Sequence, residues 1–427
     1  MGVDFLSRAV EIASQVPPHA TRPNPRVGCV IVKLQTNKEQ TSKEIIAEGV
    51  HEKFGGNHAE VNALAPLCKG DLGGSGLSDC EVYITLEPCD HFEGKKTPSC
   101  TELLIQKKPK KIVVGMLDPK FQGKNVAKLR KAGIEVEVRN SKECEEINPF
   151  WHKFATTGMP YVTLKLAQSL DGKITIPYPH PLSHGGKRGE TSYISNELSR
   201  KRVHEMRAEY SAILTTTETV LQDDPRLNCR LGEFSPSPSP REIVQGTLAS
   251  QEFHGVNSPP TRGGDVRNPD IVVVGKREIP QSAKIFSIPD RKIHFFMTHD
   301  LQKVLLECGR MGIDSIMTEC GAVMSTELLR KNLVDEIQLF IAPEIFGKGK
   351  NAFVGTRLIA SLPKNFQRTD VRDSEGDVWV RLKKRKKSLG FFPLINWISS
   401  PIRFFLRVIF GERFQDLSSR HQDVDFF

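Results

Sequence analysis

Apolar and polar positions follow two alternating periods along most of the chain. Phe5, Leu6, Ala9, Val10, Ile12 and Ala13 recur at helical spacing and predict a short amphipathic helix at the start. Pro17-Pro18 and Pro23-Asn24-Pro25 break it into a turn. Residues 27–32 form an apolar, β-branched run that reads as a buried strand. After Gly55-Gly56-Asn57 a helix is expected to carry His58, Glu60, Val61 and Leu64. A strand at 81–86 is stopped by Glu87-Pro88-Cys89, and a helix at 102–106 and strands at 111–114 and 133–138 follow. Such alternation predicts an α/β layered domain with a largely parallel or mixed sheet.

A second unit opens with a strand at 160–166, followed by a helix at 196–207 and a strand at 211–214. Further strands are expected at 271–274, 292–297, 315–317 and 335–342. Residues 177–189, rich in Pro, Gly and His, and residues 232–268, with Ser-Pro repeats, read as surface insertions. No internal repeat is visible.

A chain of 427 residues suits two domains plus extras, and 38% hydrophobic with 26% charged residues is an ordinary soluble composition. Nine scattered cysteines do not make a disulfide framework. No charged-then-apolar leader opens the chain, so a reducing, cytoplasmic location is expected. The net charge of +9 invites a nucleic-acid reading, but +6 of it lies in residues 381–427 and only +3 in the rest. No nucleic-acid partner is expected.

The sharpest chemical signal is His58-Ala59-Glu60, followed by Pro88-Cys89 and Thr97-Pro98-Ser99-Cys100. One imidazole and two thiolates suit tetrahedral zinc with a fourth position for water. Zinc lowers the pKa of bound water to about 7. Glu60, two residues after the ligand, occupies the place of the proton-carrying carboxylate in zinc deaminases. A buried histidine and two unrelated cysteines would explain any one of these residues. They do not explain all four in this order.

These segments, with Pro23–Val32 and Cys89-Asp90-His91 through Gly94, closely resemble the bifunctional riboflavin biosynthesis deaminase/reductase family. The family's Cys-x-His-x-Gly-x-Thr-Pro-x-Cys loop carries two additional residues here, around Glu93 and Lys95-Lys96. The resemblance implies metal ligands His58, Cys89 and Cys100, catalytic Glu60, and a pyrimidine pocket lined by Asn24, His51 and His91. It continues in residues 164–173 and 189–194, in Arg207, in residues 219–227 and in Thr318–Ala322. There it implies a dihydrofolate-reductase-like α/β domain after an N-terminal cytidine-deaminase-like three-layer domain. Lys165 would be catalytic. Thr191, Arg207, Leu227, Arg230 and Glu319 would bind substrate, and Ala167, Tyr193, Thr219, Asp223 and Gly321 would contact NADPH. Arginine forks suit a phosphate, and a glycine turn entering a helix suits a cofactor phosphate.

The expected organisation is a zinc-dependent deaminase domain at 1–148, a linker at 149–159, a reductase domain at 160–382 and a basic, apolar tail at 383–427. The implied substrate is a small phosphorylated pyrimidine, and the resemblance implies a homo-oligomer. Three departures from the family stand in the second half: Tyr193 for a usual Trp, Cys320 for a usual Gly, and Gly275-Lys276 for an Asp-Ser. They keep open an alternative in which only deamination survives and the second domain serves as a scaffold or membrane-recruited module.

In the tail, Lys383–Lys387 precede an apolar stretch at 391–410 that contains Arg403 and Arg407. Each central arginine costs about 2.5–3.5 kcal/mol in a spanning helix. A peripheral membrane or partner contact suits this stretch instead, and a disordered or partner-free appendage fits the sequence equally well. An RNA-editing deaminase would explain the His-x-Glu site but leaves the second domain without a role, and the near-neutral body gives it little electrostatic support.

Overall fold

In the computed structural model the chain is described at residues 4–36, 41–67, 77–91, 98–175, 193–230, 268–355 and 365–385. Helix α1 (Phe5–Ser14) forms where the apolar spacing predicts it, and Asp4 caps it by accepting from the Leu6 N–H. Its Leu6, Ala9, Ile12 and Ala13 are buried. One helical turn, α2 (Pro18–Thr21), leads through the proline-rich turn to β1 (Gly28–Thr36), which pairs antiparallel with β2 (Thr41–Val50). Then follow α3 (Ala59–Leu64), β3 (Cys80–Ile84), α4 (Cys100–Lys107), β4 (Lys111–Val114), α5 (Lys124–Lys131), β5 (Glu135–Val138) and α6 (Lys142–Glu146). The sheet order is β2-β1-β3-β4-β5, antiparallel in its first two pairings and parallel in the last two.

Strand periodicity distributes β1 between two cores. Cys29 and Ile31 pack with Ala63 of α3, Leu104 of α4 and Leu129 of α5. Val30 and Val32 pack on the opposite face with Ala9 and Ile12 of α1 and Cys144 of α6. The first half is therefore a three-layer α/β/α unit, as expected.

The second half begins with α7 (Pro149–Thr157) and β6 (Tyr161–Ser169), then α8 (Glu197–Glu209), β7 (Ala212–Thr216), α9 (Thr217–Asp223), β8 (Asp270–Val274) and β9 (Ile293–Phe296). It continues with α10 (Leu301–Arg310), β10 (Ser315–Thr318), α11 (Ala322–Arg330), β11 (Glu336–Ala342), β12 (Phe366–Ser374) and β13 (Asp377–Lys384). The sheet order is β12-β13-β11-β6-β10-β7-β8-β9. All pairings from β11 to β9 are parallel, and the β12–β13 hairpin is antiparallel. In β6, Val162, Leu164 and Leu166 enter the core beneath α10. Lys165 and Ala167 alternate to the other face, the side of α8.

Two expectations change. Residues 149–159, read as a linker, are helical through Thr157: Pro149 starts α7 and Gly158, at φ +68°, ends it. Phe150 of this helix packs 5.1 Å from the ring of Tyr161 and 4.8 Å from that of Tyr210. Lys383 and Lys384, read as the start of the tail, belong to β13, where Lys383 is opposite Glu336 and the Lys384 N–H donates to the Asp335 carbonyl. The insertions at 177–189 and 232–268, apart from Asn268, and the tail beyond Arg385 lie outside the described residues.

Candidate active sites

His58 stands at the N-cap of α3 in extended conformation, and its side chain does not cap the helix. Helix α3 presses on β2 at Gly49, where a Cβ would lie 2.2 Å from the Ala63 nitrogen and 2.4 Å from the Ala59 oxygen. Only glycine permits that approach, and it fixes where His58 and Glu60 stand. Cys100 is the first residue of α4, whose N-cap Ser99 accepts from the Glu102 N–H. A helix start favours a thiolate.

Cys89 is delivered by a loop that Glu87 fastens. The buried Glu87 carboxylate accepts from the backbone N–H groups of Asp118, Gly123, Asn125 and Val126 at 3.1, 3.0, 3.0 and 3.4 Å. The Pro88 carbonyl accepts from Asn125 Nδ2 at 2.9 Å and Thr101 Oγ1 at 3.2 Å. The loop is thereby tied to the N-terminus of α5 and the start of α4.

His58 Nδ1 lies 3.2 Å from Cys89 Sγ and 3.5 Å from Cys100 Sγ, and the three ligand atoms all lie within 4.8 Å of one another. Tetrahedral zinc with its usual bond lengths separates a nitrogen and a sulfur by about 3.6 Å. The donor set fits zinc in both chemistry and spacing. Glu60 is buried, and burial followed by the nearby Cys89 raises its carboxyl above the usual range, against the opposing influence of His58 and Cys100.

His51 is buried with its ring centroid 5.3 Å from that of His58. Burial lowers its pKa, outweighing the bond to Asn57, so the imidazole is neutral near pH 7. Its Nδ1 donates to the Asn57 carbonyl at 2.9 Å, which leaves Nε2 to accept from Asn24 Nδ2 at 3.2 Å. Asn24 and His51 thus join the zinc-type set. His91 sits at the surface, 2.9 Å from the Glu102 carboxylate, while Lys128 bridges Asp90 and Glu102. The two additional loop residues fall within 92–97, outside the described residues.

The second half contains a cavity of about 1320 Å³ at the carboxyl ends of β6, β7 and β10. In parallel α/β sheets this is where ligands bind. The volume exceeds the roughly 300–1,000 Å³ typical of one small ligand, so substrate and cofactor can share it. Lys165, Ala167, Tyr193, Arg207, Thr219, Asp223, Leu227, Arg230, Glu319 and Gly321, the described members of the expected reductase set, all line it. Thr191 lies outside the described residues.

At the centre, Arg207 Nε and Nη2 grip both oxygens of Glu319 at 2.7 and 2.9 Å, and Nη1 donates to the Asn228 carbonyl at 2.9 Å. Arg207, expected at the substrate phosphate, is committed in this state to holding Glu319. Lys165 Nζ lies 3.9 Å from the same carboxylate. Burial alone would raise Glu319, but Arg207 and Lys165 outweigh it and hold the carboxyl at about 2. Burial lowers the Lys165 ammonium, with Glu319 opposing. Gly321 caps the nine-residue α11 with no side-chain bond, and a Cβ there would meet nothing within 4 Å. An open glycine at a helix start suits a cofactor phosphate.

Residues 160–380 match the RibD C-terminal domain, and residues 3–116 match the cytidine and deoxycytidylate deaminase zinc-binding region. The riboflavin biosynthesis protein RibD of Actinobacillus pleuropneumoniae is 34% identical over 361 residues, 82% of this chain and 85% of that protein. RibD of Escherichia coli is 32% identical over 395 residues, 88% of this chain and 98% of that one. The chain belongs to the RibD family. A solved Acinetobacter baumannii RibD aligns with a TM-score of 0.67 at 30% identity, covering 90% of this chain and 98% of that one. So does the Thermotoga maritima diaminohydroxyphosphoribosylaminopyrimidine deaminase/5-amino-6-(5-phosphoribosylamino)uracil reductase, with a TM-score of 0.65 at 29% identity, covering 89% and 98%.

Two of the three departures from the expected pattern are accommodated. Cys320 turns its thiol toward Ser325, 3.6 Å away, and burial pushes that thiol up to about 11. Tyr193 carries the Arg200 guanidinium 4.5 Å over its ring. Two residues escaped the sequence reading. Glu87 is one. The other is His204, which lines the reductase cavity between Arg207 and Arg230 and is lowered to about 4 by burial and those two charges. Its position three residues before Arg207 puts both on one face of the helix, a signal present in the sequence.

Proposed function

We propose that this chain is a bifunctional riboflavin-pathway enzyme. It deaminates 2,5-diamino-6-hydroxy-4-(5-phosphoribosylamino)pyrimidine hydrolytically and then uses NADPH to reduce the ribosyl group to ribityl. The observation that carries the reading is that two side-chain sets assemble separately in one chain. One is His58, Cys89 and Cys100 beside buried Glu60; the other is Lys165, Arg207 and Glu319 in the cavity. A convergent second set disfavours the deaminase-only alternative.

Zinc held by His58, Cys89 and Cys100 would supply activated water at neutral pH. Glu60 takes a proton from that water and passes it to the departing amino nitrogen, so water and amine become carbonyl and ammonia. Neutral His51, held by Asn57, and Asn24 present fixed polar groups to the pyrimidine. In the second site NADPH would supply the hydride that reaches C1′ of the ring-opened imine. Lys165 gives the balancing proton to the imine nitrogen, a release that its lowered pKa favours. Glu319, locked by Arg207, holds the polar edge of the substrate, and Arg230 meets its phosphate. Ala167, Tyr193, Thr219, Asp223 and Gly321 face the cofactor.

We assign deamination to residues 1–148 and reduction to residues 160–384, with α7 between them. A cytoplasmic location is part of this proposal, and no disulfide joins any of the eight described cysteines. Among the described residues no helix is long and apolar enough to cross a membrane. A homo-oligomer and a tail contact rest on the sequence alone.

The test is ammonia release and NADPH oxidation followed together in zinc-loaded full chain. Glu60→Gln is expected to abolish ammonia release. Lys165→Ala is expected to abolish NADPH oxidation while ammonia release continues. Neither signal from the folded, zinc-loaded wild type would overturn the proposal.

A further inference from the structure

Asn24 lies on a five-residue segment, Arg22 to Arg26, whose two ends are gripped by different parts of the molecule. At one end, Arg22 leaves the deaminase half. Its guanidinium donates to the Glu209 carbonyl at the end of α8 and to Ser211 Oγ at 3.2 Å, and its Nε lies 3.5 Å from Asp314 Oδ2. The group also lies 5.3 Å over the ring of Phe150. Arg22 and Asp314 are both largely buried, at 16% and 9% side-chain exposure, so this is a desolvated pair and not a surface one. The other oxygen of Asp314 is fixed by Ser211 and Ser315 hydroxyls at 2.7 Å each.

At the other end, the Arg26 N–H donates to Asn148 Oδ1 at 2.8 Å, and Asn148 Nδ2 returns a bond to the Arg26 carbonyl at 2.7 Å. Between the grips, Asn24 reaches His51, and the chain on either side of the segment is sewn to the His51 turn, where the His51 N–H donates to the Val27 carbonyl and the Phe54 N–H to the Ala20 carbonyl. One short segment therefore holds Asn24 beside His51 and sends Arg22 into the reductase half. The helix it reaches, α8, carries His204 and Arg207 of the other site.

We infer that Arg22 is a positioning residue for deamination: by docking on Glu209, Ser211 and Asp314 of the reductase half, it holds Asn24 against His51. The inference rests on the deaminase reading above. It makes the affinity of the first site depend on side chains of the second half. Neither Arg22 nor Asp314 touches the reacting atoms, so their removal affects substrate capture more than turnover.

The experiment uses zinc-loaded full chain. Arg22→Ala is expected to raise KM for ammonia release at least fivefold, with kcat within twofold and zinc content unchanged. Arg22→Lys, which keeps a cation for Asp314, is expected to recover part of the loss. Asp314→Asn, on the other half, is expected to raise KM in the same direction. The double variant is expected to be no worse than Arg22→Ala alone, because both remove one contact. Substrate-free hydrogen exchange gives a second readout: the Asn24 and Phe54 amides are expected to exchange at least tenfold faster in Arg22→Ala and Asp314→Asn. Unchanged exchange, or equal KM in Asp314→Asn and wild type, would overturn the clamp. Absence of ammonia release in the wild type would instead overturn the deaminase reading beneath it.

Discussion

Replacing Arg207 by methionine keeps the aliphatic bulk and removes the partner of a buried carboxylate. Glu319 sits at about 2, below its ordinary 4.5, because Arg207 and Lys165 together outweigh burial. A depression of that size corresponds to about 3 kcal/mol of native-state stability. The carboxyl is depressed in the folded state, so this contribution is complete above pH 4.5 and is lost as pH falls toward 2. In Arg207→Met the sign reverses. Burial then dominates with only Lys165 and His204 opposing, and the carboxyl is expected above its ordinary value. Breaking one side of a buried pair costs about 3–5 kcal/mol, and Lys165 at 3.9 Å places the cost toward the lower end. Urea unfolding at pH 7 and pH 5, followed by tryptophan emission, measures it. The loss is expected near 3 kcal/mol at pH 7 and smaller by about 1 kcal/mol at pH 5, where the unpaired carboxyl is protonated more easily. Adding Glu319→Gln is expected to restore part of the stability: the buried carboxylate is gone, and Lys165, left without its counterion, gives up its proton more easily. A loss equal at both pH values, or a double variant as unstable as the single one, would refute the reasoning.

Two further outcomes test how the zinc ligands are positioned. Glu87→Gln puts an amide where four N–H groups converge and leaves about two without an acceptor, so unfolding stability is expected to fall by about 2–5 kcal/mol. Zinc is expected to dissociate faster because the Cys89 loop is loosened, which a chelator competition measures. Gly49→Ala forces a methyl against the backbone of α3, with an expected cost of about 1–3 kcal/mol and weaker zinc retention even though no ligand is altered.

The candidate zinc set was legible because its chemistry restricts residue type and chain order together, and the three side chains do converge. Strands with uniform β-branched runs, such as β4 and β8, were legible for a similar reason. Strand β2 was hidden by its own irregularity. A bulge sets Ile31 against Ala47 and Val32 against Ile45, so Ile46 is extra and the apolar residues run together instead of alternating. Helix α5 buries only Asn125, Val126 and Leu129 among charged neighbours, and the edge strand β12 buries little beyond its ends. Helix α10 carries a helical pattern of its own, with Leu301, Val304, Leu305 and Cys308 buried. Residues whose role is to brace others, Glu87 and Arg22, carry no pattern that periodicity can reveal, since their partners lie 31 to 39 and 187 to 292 residues away.

The alternation in β6 has a bearing on how this chain can vary in length. Leu164 and Leu166 pack in the core and Lys165 faces the cavity, so a single-residue insertion or deletion within that strand would exchange lysine for leucine on both faces at once. Reading frame within the sheet is therefore held by two unrelated demands, and neither can drift without the other. The extra segments of this sequence fall in the intervals between elements: near Glu93 before α4, between β6 and α8, and between α9 and β8. There, added length leaves the strand register untouched, so the chain can lengthen between its elements where β6 itself cannot.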